Sequence, residues 1–350
     1  MKAQSVSIYG ALALVGLVAA YQTWQRPKET VKADQVTILD ASKQSLEKVH
    51  FDDGTRFIDV VKRVEPEARL WVTLGYLPGK APVVDAGIVI ETVDGGAPDG
   101  GALPVTVKTP EVPPTRTMKT NERGDTLWGR FTPFVGTRAL GTLPDAKLDE
   151  LGLVNSGRTL ELTVAGAVRR YVASKPVSGI IGGYVMDEKT KEVFLLPTTV
   201  FSELDPASQL LVDRRLHVFK QPEFDAFTVK VDEQSADFVQ TNADIPATAK
   251  VARKQSPDKP DEMAKNWHDK IWNRVIVTDV LGENELPKAG APKVALRIDY
   301  SLRGQPKGWL EIGLDPTAGT WARTENTASW VAVHQGADQL VLEAKKVIAP

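Results

Sequence analysis

The chain has 350 residues, of which 42% are hydrophobic and 25% charged, and a formal net charge of −2. That length predicts two or more domains or repeated units, with enough apolar side chains to fill real cores. The charge balance gives no general attraction for nucleic acid. The absence of cysteine excludes disulfides, thiol catalysis, thiolate metal sites and a lipid-modified cysteine.

The sequence opens on an uncharged apolar run, Val6 to Tyr21. A helix needs about 20 apolar residues to cross roughly 30 Å of hydrocarbon. The run is a few residues short, but Tyr9, Tyr21 and Trp24 extend it with rings suited to the headgroup level. Val6, Ile8, Leu12, Leu14, Val15, Leu17 and Val18 make up the predicted anchor surface. Gly10, Ala13 and Gly16 would permit close helix–helix approach, although plain contact with lipid is the simpler expectation. A cleaved signal peptide is the alternative, with Val18 and Ala20 before a cut at Tyr21. The run predicts a single-pass anchor over residues 1–25 in a bacterial inner membrane, with the body in the periplasm.

Residues 26–119 read as a linker and a small antiparallel β unit. Val36 to Leu39 and Val49 to Phe51 are strand-like, Asp52-Asp53-Gly54 is a hairpin-type turn, and Arg56 to Val60 returns. Leu70 to Leu74, Ile88 to Ile90 and Val105 to Val107 are further β runs, the last two bracketing the Gly-rich stretch Asp94 to Gly101. Pro110, Pro113 and Pro114 mark a boundary.

Residues 120–235 change period. Leu127, Phe131, Phe134 and Val135 recur at helical spacing, with Asn121 and Asp125 as candidate caps and Pro133 as a kink or limit. Pro144 and Gly152 punctuate a second helix at its first turn and its left-handed stop. Four strands follow: Thr159 to Val164, Arg170 to Ala173, Gly182 to Met186 and Glu192 to Leu196. Residues 236–350 show a similar order. A helix with Ala264, Trp267, Ile271 and Val275 on one face leads into strands at Val294 to Tyr300, Trp309 to Gly313, Thr320 to Thr324 and Ser329 to Val333. Each half closes on an apolar–acidic tail, Val200 to Leu204 and Leu340 to Glu343. The element order predicts two copies of a helix-plus-meander unit, at roughly 121–232 and 256–348. The fold class is therefore α+β, with an amphipathic helix covering an antiparallel sheet in each unit.

From Asp125-Thr-Leu-Trp128 through Leu151-Gly152-Leu153, the chain resembles a bacterial family catalogued as domain of unknown function 4340. The Gly182 to Val185 strand, its partner Val193 to Leu196, and Val212-Asp213-Arg214-Arg215-Leu216 carry the rest of the likeness, which covers residues 120–235 best. The Gly/Pro-rich stretch 78–114 departs from it. The resemblance implies an N-terminal membrane helix and a role as an envelope accessory subunit beside ABC permease and ATPase subunits, sometimes of the gliding-motility type, with no enzyme activity established.

The residues themselves assign no catalytic, cofactor-binding or metal-ligating group. His50, His217, His268 and His334 are scattered, none with a second histidine at ligand spacing. Trp267-His268-Asp269 cannot converge, because helix neighbours point apart; Trp267 is expected to pack inward and Asp269 to be solvated. Ser45-Leu-Glu-Lys48 matches a Ser-x-x-Lys pattern but lacks its companion motifs. No Gly-rich phosphate loop lies between a strand and a helix, so an ATPase would have to come from another chain. Arg214 and Arg215 could grip a carboxylate or phosphate bidentately; the simpler reading is that they complement a helix C-terminus while Asp213 pairs locally. Trp309, Trp321 and Trp330 fit a sugar-binding face less well than plugs between sheet and helix. The expected function is a membrane-anchored periplasmic accessory or scaffold subunit acting by protein binding. The alternative is an envelope hydrolase or carbohydrate-binding protein, which would need a cleft with two carboxylates flanked by tryptophan.

Overall fold

A computed structural model describes residues 35–64, 68–80, 113–176, 182–245, 248–317, 319–334 and 336–349. The first part of the chain runs β1 (Val36–Leu39), β2 (Leu46–Asp52), β3 (Arg56–Arg63), β4 (Arg69–Tyr76), β5 (Arg116–Lys119), α1 (Glu122–Arg130), β6 (Phe134–Gly136), β7 (Arg138–Thr142), α2 (Asp145–Glu150), β8 (Arg158–Val164), β9 (Ala167–Ala173), β10 (Gly183–Asp187), β11 (Glu192–Leu196), α3 (Thr199–Leu204) and α4 (Ala207–Leu210). The second runs β12 (Ala226–Val231), β13 (Gln234–Thr241), β14 (Lys250–Arg253), α5 (Glu262–Arg274), β15 (Val277–Val280), β16 (Lys293–Leu302), β17 (Gln305–Asp315), β18 (Gly319–Thr324), β19 (Val331–Val333) and α6 (Ala337–Ile348). The fold is mixed, with antiparallel sheets predominating.

Among the described residues the first sheet has the order β5-β4-β3-β2-β8-β9-β10-β11-β7, and the second β14-β13-β12-β16-β17-β18-β19-β15. Laying β2, β3 and β4 on β12, β13 and β14 makes the two orders coincide throughout, apart from edge strand β5. In the second part the isolated bridge Ala252–Pro260 stands at the place of β5 and leads into α5 as β5 leads into α1. The matching strand order thus starts at a three-strand meander ahead of each helix. β2 to β5, read from the sequence as a unit of their own, lie in the same sheet as β8 to β11, and β12 and β13 belong to the second sheet. β1 pairs with β6 in a separate ribbon.

Burial alternates along several strands, including β3, β12 and β16, and runs over consecutive residues on others, such as Leu70 to Val72 of β4. On β16, Leu296, Ile298 and Tyr300 are buried, and α6 covers them. Trp267 of α5 is 2% exposed and donates its indole N–H to Leu340 O of α6 at 2.8 Å, tying the two helices together. Burying an aromatic of this size contributes about 2–3 kcal/mol. In the first sheet Phe51, Leu160 and Leu162 are buried in the same cluster as Leu127 of α1 and Phe201 of α3, and the Phe51 and Phe201 rings lie 5.7 Å apart. One cluster of buried apolar side chains runs through both parts.

Several local expectations shift. α1 stops at Arg130, so Phe134 and Val135 belong to β6: Pro133 ends the helix instead of kinking it. Asn121 is the cap, accepting Arg123 N–H at 2.9 Å, while Asp125 sits in the first turn. The two apolar–acidic tails are helices, α3 and the start of α6. The Asp52–Gly54 turn forms with Gly54 at φ 89°, and the Asp52 carboxylate accepts its N–H at 2.6 Å. No helix of the described residues is long and apolar enough to cross a membrane. The anchor run Val6 to Tyr21 and the β runs at Ile88 to Ile90 and Val105 to Val107 lie outside the described residues.

Candidate functional site

The segment Val212–Leu216 joins the two parts. It is zipped against the edge of the first sheet: Asp213 N–H donates to Lys119 O at 2.9 Å, Asn121 N–H donates to Leu211 O at 2.9 Å, and Thr120 bridges Val212. Here the Asp213 side chain, 2% exposed, receives the Arg69 guanidinium from β4. It also accepts Arg215 N–H, Nε and Nη2, all at 3.0 Å, and Asn326 Nδ2 from the second part at 3.3 Å. Burial alone would raise the pKa of Asp213. The Arg215 hydrogen bonds and the Arg69 charge outweigh it and hold the carboxyl below the usual range. Asn326 closes the ring by accepting Arg69 Nη1 at 2.9 Å and donating to Arg215 O at 2.7 Å.

A second brace lies along β5. Arg116 grips Glu285 through Nε at 2.9 Å and Nη2 at 3.0 Å, and Asp279 through Nη1 at 2.9 Å. Glu283 N–H donates to Thr117 O at 2.8 Å, and Arg63 pairs with Glu283 at 2.7 Å. The connection from β15 to β16 is thereby laid along the edge of the first sheet.

Between these braces is a cavity of about 380 Å³, within the usual size range of small-molecule sites. Phe57, Ile58, Leu74, Met118, Val212 and Val280 give it apolar walls. Three arginines among the described residues also line it. Arg56 is paired with Asp53 at 2.8 Å, and Arg116 with Glu285 and Asp279. Arg214 is exposed and donates only to backbone carbonyls, Gln209 O at 3.0 Å and Ser208 O at 3.2 Å. No described carboxylate pairs with it. Arg214 also borders two neighbouring depressions, one beside His217, Trp272 and Ile276 and one beside Asn121 and Arg123.

Two carboxylates are among the described residues that line the cavity. Asp279 is paired with Arg116; Asp205 is paired with Arg158 at 2.7 Å, yet burial still raises its pKa. No tryptophan is among the described residues that line it, so it differs from the cleft expected for the hydrolase alternative.

The arginine pair singled out in the sequence is therefore split between two jobs. Arg215 is locked onto Asp213, which is the local pairing foreseen for Asp213. Arg214 caps the carbonyl end of α4 and faces the cavity. Arg56, Arg69, Arg116 and Glu285 carried no sequence signal, because most of their partners lie far along the chain: Arg116 meets Glu285 and Asp279 more than 160 residues away.

The other candidates disperse. His50 pairs with Asp59 at 2.6 Å on the open face of the first sheet. His217 pairs with Glu325 at 3.1 Å and stacks on Trp272 with centroids 5.0 Å apart. His268 is fully buried in α5, and Asp269 is held by Lys265 at 2.6 Å and Gln221 at 2.9 Å, so it is not simply solvated. Ser45 bonds Ser42 in the turn before β2 while Lys48 pairs with Asp59 at 2.8 Å, which leaves the Ser-x-x-Lys pattern without helical geometry. Trp321 and Trp330 pack with Leu281 on the face away from the helices, and Trp309 lies beside Arg297 and Arg323; a loop, not a helix, covers the buried pair. Among the described residues no group of three or more His, Asp or Glu could hold a metal ion.

No family model matches the chain, and neither does any curated protein or solved structure.

Proposed function

We propose that the protein is an accessory or scaffold subunit that acts by binding, held at a bacterial inner membrane by Val6 to Tyr21 with its body in the periplasm. Its partners are the permease and ATPase subunits of an ABC-type envelope complex, as the resemblance to the domain-of-unknown-function family implies. The observation that supports a binding role is Arg214: an exposed arginine with no carboxylate partner among the described residues, oriented by two carbonyls at the meeting of three depressions. An oriented, unneutralised guanidinium beside apolar walls suits recognition of an anionic partner group. The braces around it keep the two parts in fixed register, which a docking platform needs.

The test is affinity recovery of the full-length protein from detergent-solubilised membranes, alongside Arg214→Glu. Wild type should bring down a permease and an ATPase, and the charge reversal should cut the yield about tenfold or more. Recovery of the protein alone, with hydrolytic activity in the purified preparation, would overturn the reading. Protease added to spheroplasts should digest the part beyond Arg26; protection until lysis would sink the topology.

A further inference from the structure

We infer that the cavity beneath Arg214 binds a carboxylate carried on an apolar body, with Arg214 gripping the carboxylate and the walls of both parts burying the rest. The inference rests on the junction being a binding site; it does not rest on which complex the protein serves.

An arginine paired with a carboxylate has little left to offer a second anion, and Arg56 and Arg116 are both so paired. Arg214 differs in kind. Its two carbonyl acceptors fix the plane of the guanidinium at Nη1 and Nη2 without neutralising its charge. A planar fork held in this way offers its remaining N–H groups to a carboxylate at low entropic cost. The apolar walls come from three places: Phe57 and Leu74 from the first sheet, Val212 from the connecting segment and Val280 from the second part. A ligand there would lose apolar surface to both parts at once. A polyanion fits poorly, because Asp205 and Asp279 share the same lining. One negative charge matches the one cation left over among the described residues that line the cavity. The ligand class is thus a monocarboxylate with an apolar body of small-molecule size. Two sources share that chemistry, a free organic acid and the C-terminus of a partner chain ending in apolar residues.

The experiment uses full-length protein in detergent and isothermal titration with four probes. These are 4-phenylbutanoate, its neutral amide, an N-acetylated Val-Leu-Phe tripeptide with a free C-terminus, and the same peptide amidated. Either acid should bind, its amide at least about tenfold more weakly, and Arg214→Gln should remove that preference. Preference for 4-phenylbutanoate identifies a small acid; preference for the peptide acid identifies a chain terminus. Ser208→Trp, which keeps the carbonyl that holds Arg214 but fills the exposed mouth, should block binding with an unchanged circular dichroism spectrum. The inference is overturned if neither acid binds, if acids and amides bind equally, or if Arg214→Gln leaves the preference intact. Acid binding without recovered membrane partners would leave this site standing and remove the accessory role, whereas partners recovered without acid binding would do the reverse.

Discussion

His268 shows how far a single side chain can couple this fold to pH. It is fully buried in α5, stacked on Phe227 with centroids 4.4 Å apart, and neither ring nitrogen has a hydrogen-bond partner among the described residues. Burial pushes its pKa down from 6.5 to about 4; Asp269 pulls the other way, while His217 and Lys265 add to the depression. The folded state therefore holds the ring neutral where the unfolded chain would protonate it. Stability is intact above about pH 6.5, falls as pH drops toward 4, and loses on the order of 3 kcal/mol in that window. Asp213 and Asp59, both held below the usual carboxylate range, lose their contributions only at lower pH. Urea melts of wild type and His268→Leu, similar in volume, should diverge in pH dependence between pH 6.5 and 4, with the variant flatter by about one proton. Parallel curves would mean that His268 is protonated in the folded protein. The sequence showed His268 next to Trp267 on a helix, but not that it would be buried; an inward position for both depends on Phe224 and Phe227, which lie outside the helix.

At the scale of elements, the two repeat helices start alike and are wired differently. Asp261 caps α5 by accepting Ala264 N–H at 2.9 Å. Asn121 caps α1, but its Nδ2 also donates to Leu210 O at 2.8 Å and Val212 O at 3.2 Å, fastening the helix to the segment that carries Arg214. Asn and Asp are about equally good caps. Asp261→Asn should therefore cost less than about 1 kcal/mol, whereas Asn121→Asp turns a donor into an acceptor facing two carbonyls and should cost about 1–3 kcal/mol. Equal losses in chemical denaturation would show that the amide bonds to the connecting segment contribute nothing. The strands with alternating burial were legible because a period of two is local, and so were the turns at Gly54 and Gly152, where φ is positive. The end of α1 was misread because Phe131 and Phe134 are buried on either side of Pro133, one closing a helix and one opening a strand. α3 looked like a tail because six residues hold too little periodicity to distinguish a helix. Sheet order was not legible at all: β2 sits between β3 and β8, a pairing that no local pattern specifies.

For the whole molecule, the question is whether a duplicated architecture behaves as two bodies or one. A repeat array often melts in steps when the contact between units is weak. Here the contact has two components: an apolar cluster continuous through both parts, and ion pairs that cross between them. Arg116 is 25% exposed and Glu285 27%, so their bidentate pair is neither fully screened nor fully desolvated. Such pairs couple by about 1–3 kcal/mol in double-mutant cycles. Two features follow. Wild type should unfold in urea in one transition, with far-ultraviolet circular dichroism and tryptophan fluorescence coinciding, because Trp71 and Trp128 report on the first sheet and Trp267 and Trp330 on the second. Arg116→Ala and Glu285→Ala should each destabilise, and the double variant should lose less than their sum by about the coupling energy. If the singles instead add and the two probes separate in wild type, the junction is a hinge between independent bodies. The cavity at Arg214 would then open and close with the relative motion of its walls, since Leu74 and Val280 belong to different parts.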